Sequence, residues 1–415
     1  GACPMSGHPL PPGHGGLALP ASPPSQARLG LVAIFGSTFF ELVGYFMLMP
    51  LLLLRLKGDG VSNALAGLLA ATGWVGVFAI TSFASAITQR LGRRPTLWLA
   101  ALVPVLSTTG FLFTSWLPAW FVFEFVAGAA SGLRWVLAEA VVAEFASPRQ
   151  RGRMVGLFET MVGTTFVIGP ALLAAVGAQS ALALWLVLAS MTIGLVWSLL
   201  IPPLPRAHDA HSARVGLHGV WHALRAHPLI MTVGFVGGFF ESGLTSILPL
   251  YGLALGLGAT AAALLVSASG LGSALMMLPA GLLADRLSAH PRWGNEGRAR
   301  LAIMHACALV TLAATALIPF VAGTPWLAAA VAFLWGGAGG SLYTLAMIDI
   351  GSREQGITLV NSTAVLVLSY TLGGVLAPAL GAAMLDWAPV VGFPALLLAV
   401  AGPGWWLLRR ANRAV

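Results

Sequence analysis

Two segments of the chain place a carboxyl group in nearly the same apolar surroundings. Glu41 and Glu241 each follow a pair of phenylalanines, and each stands near the middle of an apolar run long enough to cross a lipid bilayer. A charge at the bilayer centre costs roughly 2.5–3.5 kcal/mol on insertion scales, so such acids usually mark ion or substrate pathways. Because the two copies lie 200 residues apart in 415, the sequence predicts two related halves.

The composition indicates a membrane protein and excludes several other classes. Hydrophobic residues make up 58% of the chain and charged residues only 8%, whereas a soluble domain carries about 25% charged residues. The two cysteines are too few for a disulfide framework. The net charge of +8 does not predict a nucleic-acid partner, since the basic residues are scattered in short segments between apolar runs.

The lengths of the apolar runs predict an all-α, polytopic membrane protein with twelve transmembrane helices in two six-helix bundles. We expect a disordered tail over 1–28, an N-terminal bundle over 29–201, a cytoplasmic linker over 202–228 and a C-terminal bundle over 229–415. The predicted spans are 29–54, 63–88, 95–114, 118–146, 153–177, 180–201, 229–252, 260–285, 299–321, 325–350, 356–384 and 390–408.

The basic residues predict how the chain is oriented in the membrane. If the amino terminus is inside, the cytoplasmic segments hold 18 of the 21 Arg and Lys residues. Only Arg55 and Lys57 then lie outside, and Arg134 lies within a span. Cytoplasmic segments are enriched in Lys and Arg, so we expect both termini in the cytoplasm and the protein in the bacterial inner membrane.

Two loops carry complementary parts of one motif. Residues 89–94, after the second predicted span, read Q-R-L-G-R-R, and residues 281–286, after the eighth, read G-L-L-A-D-R. They resemble the end and the beginning of G-x-L-A-D-R-x-G-R-R, the loop motif of the major facilitator superfamily. The resemblance is greatest to bacterial proton-coupled efflux members for drugs or metabolites. It covers nearly the whole chain and implies two six-helix halves that rock about a central cavity.

The resemblance also implies a cytoplasmic gate, in which a carboxylate caps a neighbouring helix and pairs with loop arginines. Ser85 and Gln89 replace the Gly and Asp of the motif in the first copy, so the gate should be stronger at Asp285, opposite Arg151 and Arg153. The alternative is that these arginines only set topology. The predicted gating residues are Gln89, Arg90, Gly92, Arg93, Arg94, Gly281, Asp285 and Arg286.

The spans contain more acids than bases, which suggests proton coupling. A carboxyl group in this environment can bind and release a proton during transport, although it can also serve as a structural hydrogen-bonding group. In the superfamily, spans one, four, seven and ten line the cavity. We expect Glu41 to handle protons and Glu241 to meet the substrate. The predicted coupling residues are Glu41, Glu124, Arg134, Glu139 and Glu159.

The fourth span departs from the family pattern. Glu124 stands four residues before Gly128, where the family motif has an arginine, so the usual relay role of that arginine does not carry over. Arg134 supplies a cation ten residues further on, and we expect it to pair with Glu139 or Glu159. Structural pairing and functional switching both fit this arrangement.

Aromatic and polar residues on the predicted cavity-lining spans indicate a partly aromatic pocket. Aromatic rings beside excess carboxylate favour an amphipathic organic cation, exported in a proton-coupled antiport. Residues 163–170 match the Gly-Pro motif of antiporters only in part. The alternative is proton-linked uptake of a polar nutrient such as a sugar or organic acid. The predicted substrate-binding residues are Glu241, Tyr45, Tyr251, Trp335, Tyr343, Asn361 and Tyr370.

Other functions have weaker support in the sequence. His218 and His222 have the i, i+4 spacing of helical metal ligands, but histidines in loops are usually solvated, and we predict no metal site. A non-transporting receptor on this fold is a further alternative. We find no P-loop, zinc-ligand helix or nucleophile elbow, and therefore expect neither an enzyme nor a cofactor. The expected partners are a small-molecule substrate, protons and the lipid bilayer, with the chain acting as a monomer.

Overall fold

Helices account for the regular structure of the described part of the chain. The computed structural model describes residues 24–81, 83–145, 151–204, 225, 227–288, 290, 292, 296–321, 323–353 and 356–414, with only the backbone at some helical positions. Within these ranges there are helices, turns and bends but no strands. The predicted all-α fold is therefore confirmed.

Fourteen α-helices are formed by the described residues, seven in each half. In the first half they are α1 (Pro24–Gly58), α2 (Asn63–Thr81), α3 (Ala84–Leu91), α4 (Arg93–Phe113), α5 (Leu117–Phe145), α6 (Arg151–Val176) and α7 (Ala181–Leu199). In the second half they are α8 (Pro228–Ser246), α9 (Leu248–Ala254), α10 (Ala259–Ser288), α11 (Glu296–Leu317), α12 (Pro325–Arg353), α13 (Gly356–Trp387) and α14 (Gly392–Ala414), with a 3₁₀ turn at Ile318–Val321 after α11.

Each predicted span coincides with one helix or with two consecutive helices. Ten helices in the described part of the chain are long and apolar enough to cross a membrane, and α6 contains a shorter apolar segment at Thr160–Val176. The helix α14 lies at the twelfth predicted position. The described part of the first helix begins at Pro24, inside the predicted tail.

The related segments around Glu41 and Glu241 differ in how a nearby proline affects the helix. Pro50 lies inside α1, which continues unbroken to Gly58. Pro249 instead stands in the first turn of the short α9, just after α8 ends, with Ile247 between the two helices. A proline cannot donate the backbone hydrogen bond of a continuous helix, so a break at this place is expected. The seventh span is therefore α8 followed by α9.

The two halves meet along two pairs of helices. Within the first half, α1 packs against α6 and α7, and α2 packs against α5; within the second, α8 packs against α13, and α10 against α12. Between the halves, α2 packs against α13 and α6 against α10. Gly67 on α2 permits the first of these contacts, because a Cβ there would collide with the carbonyl of Pro378 on α13. Small residues allow such close approach of membrane helices.

An acidic side chain joins the halves at one end of the bundle, which we call the distal end and which carries the loops at 59–62 and 388–391. Asp386 of α13 accepts hydrogen bonds from the backbone N–H groups of Asn63 (3.0 Å) and Ala64 (2.6 Å). These groups belong to the first turn of α2, where a carboxylate also interacts favourably with the helix dipole. A helix cap therefore crosses between the halves at the distal end.

Arg55, one of the two basic residues predicted outside, is anchored at the same end. Its guanidinium donates to the carbonyl oxygens of Ala178 (2.9 Å) and Ser180 (2.8 Å), between α6 and α7. Carbonyl groups at a helix end have no partner within the helix and accept such bonds readily. This contact explains why a basic residue occurs at the end of the bundle that is otherwise poor in them.

We predict that Asp386→Ala opens the distal end, since the first turn of α2 loses both acceptors. Loss of a helix cap costs about 1 kcal/mol. Distances between spin labels at the exposed positions Ser62 and Val390 should shift toward longer values in the variant. Asp59→Asn is the matched control, because Asp59 is an exposed acid at the same end that caps no helix in the second half. Identical distance distributions in Asp386→Ala and the parent would contradict the prediction.

Candidate functional site

A buried ion pair connects α1 to α5 in the first half. Glu41 is the central residue of the 35-residue α1 and is 3% exposed. The guanidinium of Arg134, also 3% exposed, pairs with the Glu41 carboxylate and donates a hydrogen bond to Ser37, one turn earlier on α1. Two charges withdrawn from water need such mutual compensation. The pair therefore holds α5 against the middle of α1.

The structure gives Arg134 a partner that was not predicted from the sequence. This partner, Glu41, lies 93 residues away in the chain. The side chains of Glu139 and Glu159 lie outside the described part of the chain. Packing of α1 on α5 brings Glu41 to Arg134.

Glu124 is a second buried acid of the first half, and it has a different environment. It lies ten residues before Arg134 on α5, about 15 Å along the helix axis, and is 1% exposed. Its Oε1 has no hydrogen-bond partner among the described residues. That oxygen lies against Gly73 of α2, where a Cβ would stand only 2.7 Å from it. Glu124 is thus a desolvated carboxyl group without a cation beside it in the described structure.

A small cavity separates the two acids of the first half. Its polar lining consists of Glu41 and Tyr45 of α1, Ser107 and Thr108 of α4, and Glu124 and Ser131 of α5. The Thr108 hydroxyl donates to Met191 Sδ (3.0 Å), which leaves its oxygen lone pairs as acceptors. The cavity has room for about one water molecule. Such a space suits a proton or a small ion and excludes an organic molecule.

The acid of the second half lies at the interface between the halves. Glu241 of α8 is partly buried and accepts a hydrogen bond from the Tyr370 hydroxyl of α13 at 2.5 Å. The Tyr370 ring lies 4.7 Å, between centroids, from the ring of Tyr343 on α12. The same ring lies 6.1 Å from each of Trp74 on α2 and Trp135 on α5, in edge-to-face contacts. We call Trp74, Trp135, Tyr343 and Tyr370 the aromatic cluster.

The structure brings together only some of the predicted substrate residues. Glu241, Tyr343 and Tyr370 are in contact. Tyr45 lines the cavity of the first half and is close enough to both Glu124 and Tyr370 for electrostatic interaction. Tyr45 therefore lies between the cavity and the aromatic cluster.

Tyr251 and Trp335 lie away from the aromatic cluster, in the core of the second half. Each is fully buried and contacts Phe393, at centroid distances of 5.6 Å and 5.9 Å. Trp335 also lies beside Phe240, and the Tyr251 hydroxyl donates to the carbonyl of Val390 (2.9 Å). Phe240 faces the interior of the second half, and the residues packed against Phe240 belong to the core of that half. Asn361 lies outside the described side chains.

Trp74 and Trp135 belong to the site but were not predicted from the sequence. Tryptophan concentrates at the membrane–water interfaces, yet Trp74 stands near the middle of α2 and directly follows Gly73. Trp74 also packs on Gly374 of α13, where a Cβ would lie 2.8 Å from its ring. A tryptophan in mid-span beside glycine is therefore a signal that sequence reading can use.

The proposed gate can be described only in part. Gly92 joins α3 to α4 with a φ of +87°, a conformation that favours glycine. Arg93 is buried, and the Arg94 guanidinium lies 4.5 Å above the Trp98 ring. Arg90 and Arg286 are exposed and Gly281 is partly buried. The side chains of Gln89 and Asp285 lie outside the described part of the chain, so the gate remains a prediction.

A second buried ion pair occurs in the second half. Arg300 of α11 and Asp349 of α12 approach to 3.2 Å, and both are buried. This pair was not predicted, because the two residues lie 49 positions apart. Among the described residues, no group of three or more His, Cys, Asp or Glu could hold a metal ion. The histidines at 208, 211, 218 and 222 lie outside those residues.

Two pseudo-equivalent helical halves with ionisable groups inside long apolar helices define a polytopic membrane protein of the transporter class. The family model described as Major Facilitator Superfamily matches residues 34–364. The chain belongs to this superfamily and is a membrane transporter.

Relatives and solved structures agree with this assignment. An uncharacterised MFS-type transporter, YfkF of Bacillus subtilis (strain 168), is 25% identical over 345 residues, covering 81% of this chain and 83% of the relative. One from Yersinia pestis (strain Pestoides F) is 26% identical over 75% of this chain and 77% of its own length. A mutant of the nucleoside transporter NupG superposes with a TM-score of 0.70 at 11% identity, covering 94% and 99% of the two chains. The human organic anion transporter MFSD10 (TETRAN) gives 0.67 at 18% identity, covering 92% and 99%.

Proposed function

We propose that this transporter exchanges protons for a small amphipathic organic compound that carries a positive charge, and that it exports this compound from the bacterial cytoplasm. The observation that supports the substrate class is the Glu241 carboxylate beside the aromatic cluster. A carboxylate attracts a cationic group, and ring faces add cation–π attraction of about 0.5–2 kcal/mol. Because the cluster contains residues from both halves, substrate binding there would depend on the relative position of the halves.

Proton coupling is supported by the buried charges of the first half. Glu41, Arg134 and Glu124 lie within the membrane-spanning part of the fold, where ionisable groups are costly and usually functional. The cavity between the two acids admits about one water molecule, which suits the passage of a proton. We propose that both termini face the cytoplasm and that the distal end faces outward, in agreement with the distribution of basic residues.

Flux of an aromatic cation in proteoliposomes tests this proposal. We expect an imposed pH gradient to drive ethidium against the direction of proton flow severalfold faster than in protein-free liposomes. A protonophore should abolish the difference. Glu41→Gln and Glu241→Gln should each lose the driven flux, the first because it leaves Arg134 without its ion-pair partner and the second through binding. Ethidium flux that ignores the gradient, or gradient-driven flux that survives in both variants, would refute the proposal.

The aromatic cluster also favours a second candidate, proton-linked uptake of a polar ring compound. Rings such as Trp74 and Tyr343 can stack on a flat heterocycle, and Glu241 can accept a hydrogen bond from a hydroxyl group. NupG, whose fold is similar, is a nucleoside transporter. A thermal-shift comparison separates the candidates: stabilisation by uridine but not by ethidium would favour uptake, and the reverse result would favour export of a cation.

A further inference from the structure

Two buried acids share one small cavity in the first half, but only one of them is paired. Glu41 has the Arg134 guanidinium as its ion-pair partner. Glu124 is 1% exposed, and its Oε1 has no hydrogen-bond partner in the described part of the chain. With all three groups ionised, the cavity would carry a net charge of −1. One proton, or one monovalent cation, would make it neutral.

We infer that Glu124, and not Glu41, is the residue that carries the transported proton, a conclusion that rests on the proposed proton coupling. An ionised carboxylate in a dry site without a cation is expensive, whereas the neutral acid needs much less compensation. Glu41 already has its compensation from Arg134 and does not need a proton to be buried. When the cavity is closed to bulk water, the proton is therefore bound to Glu124.

No other ionisable group competes for this role among the described residues facing Glu124. The helix α1 presents Glu41, which is paired, and Tyr45. The helix α2 presents the backbone at Gly73, and α4 presents the hydroxyl groups of Ser107 and Thr108. Met191 of α7 completes the wall. On α5 itself the nearest described basic group is Arg134, ten residues away and bound to Glu41.

The proton step balances without any further reactant. A hydronium ion in the water that enters the cavity when one end of the bundle opens gives its proton to a Glu124 carboxylate oxygen and becomes water. The neutral site then permits closure, and opening at the other end allows the same oxygen to return the proton to water. Hydroxyl groups of Ser107, Thr108 and Ser131 line the space for the intervening water. Protonation thus changes the charge of the site by one unit, and this change can bias the two conformations.

Infrared spectroscopy of the purified full chain tests the inference without knowledge of the substrate. We expect a band from a buried, protonated carboxyl group at neutral pH, and its loss in Glu124→Gln. The band should return, at a shifted position, in Glu124→Asp. Glu241→Gln, the same substitution in the other half, is the control and should retain the Glu124 band. Elution as a single species in size-exclusion chromatography verifies that each variant folds.

Three results would overturn the assignment of Glu124. The first is a carboxyl band that persists in Glu124→Gln, and the second is its absence from the parent protein at neutral pH. The third is its disappearance when sodium chloride replaces choline chloride, since the site would then hold a metal cation. In proteoliposomes, gradient-driven ethidium flux should be lost in Glu124→Gln while exchange without a gradient continues. If the parent couples to protons and the variant couples equally well, the inference fails although the proposed function stands.

Discussion

Arg134→Met should lower the free energy of unfolding by about 3–5 kcal/mol and abolish transport, because it leaves the Glu41 carboxylate buried without a cation. The loss of stability should be larger at high pH and smaller at low pH, since protonation of Glu41 removes the unpaired charge. Thermal unfolding in detergent across a pH series measures the first effect. Gradient-driven flux in proteoliposomes measures the second.

The double variant Glu41→Gln with Arg134→Met tests whether the two residues act as a pair. Replacing both members of a buried ion pair by neutral groups of similar size is often neutral or stabilising. We therefore expect the double variant to regain most of the lost stability, with a coupling energy of about 3 kcal/mol between the sites. Additive losses in the double variant would show that the two residues do not act as a pair.

Glu241→Gln should weaken binding of ethidium at least tenfold, which corresponds to about 1.4 kcal/mol. The variant keeps the shape of the side chain and its contact with the Tyr370 hydroxyl, but loses the negative charge that attracts a cation. Tyr370→Phe keeps that charge and loses the 2.5 Å hydrogen bond, so its effect on binding should be smaller. Titration of intrinsic tryptophan fluorescence measures both, since Trp74 and Trp135 lie beside Tyr370.

An adjacent substitution controls for damage to α8. Ser242 is buried next to Glu241, and its hydroxyl donates to the carbonyl of Gly374 at 2.9 Å. Ser242→Ala should therefore affect stability more than the affinity for ethidium. An uncharged aromatic compound of similar size should bind the parent and Glu241→Gln almost equally. An equal loss of affinity for the charged and the uncharged compound would contradict an electrostatic role for Glu241.

Much of the architecture could be predicted because the membrane imposes simple rules on sequence. A helix that spans lipid must be about 20 residues long and mostly apolar, so the spans can be counted along the chain. The repeated acid marked both halves, and the central position of Glu41 within α1 agrees with the predicted depth. Helix ends were less predictable, since α1 already includes Pro24 of the predicted tail and a break near Pro249 separates α8 from α9.

The partners of the buried polar groups could not be predicted in the same way. Membrane helices are apolar on nearly all sides, so the sequence of a span carries little information about which face meets which neighbour. Sequence spacing suggested Glu139 or Glu159 for Arg134 and did not indicate Glu41, which the approach of α1 to α5 brings to Arg134. The sequence likewise did not show which neighbours Tyr251 and Trp335 contact, and the fold places both in the core of the second half.

The sequence by itself determined the class of this protein: a duplicated, twelve-span membrane transporter with acids near the middle of its first and seventh spans. Hydrophobic length and charge bias are properties of each segment and can be read locally. Only the tertiary structure decided that Glu41 is neutralised by Arg134, that Glu124 is left unpaired among the described residues, and that Glu241 meets Tyr370. These roles depend on contacts between distant segments, and helix packing alone sets them.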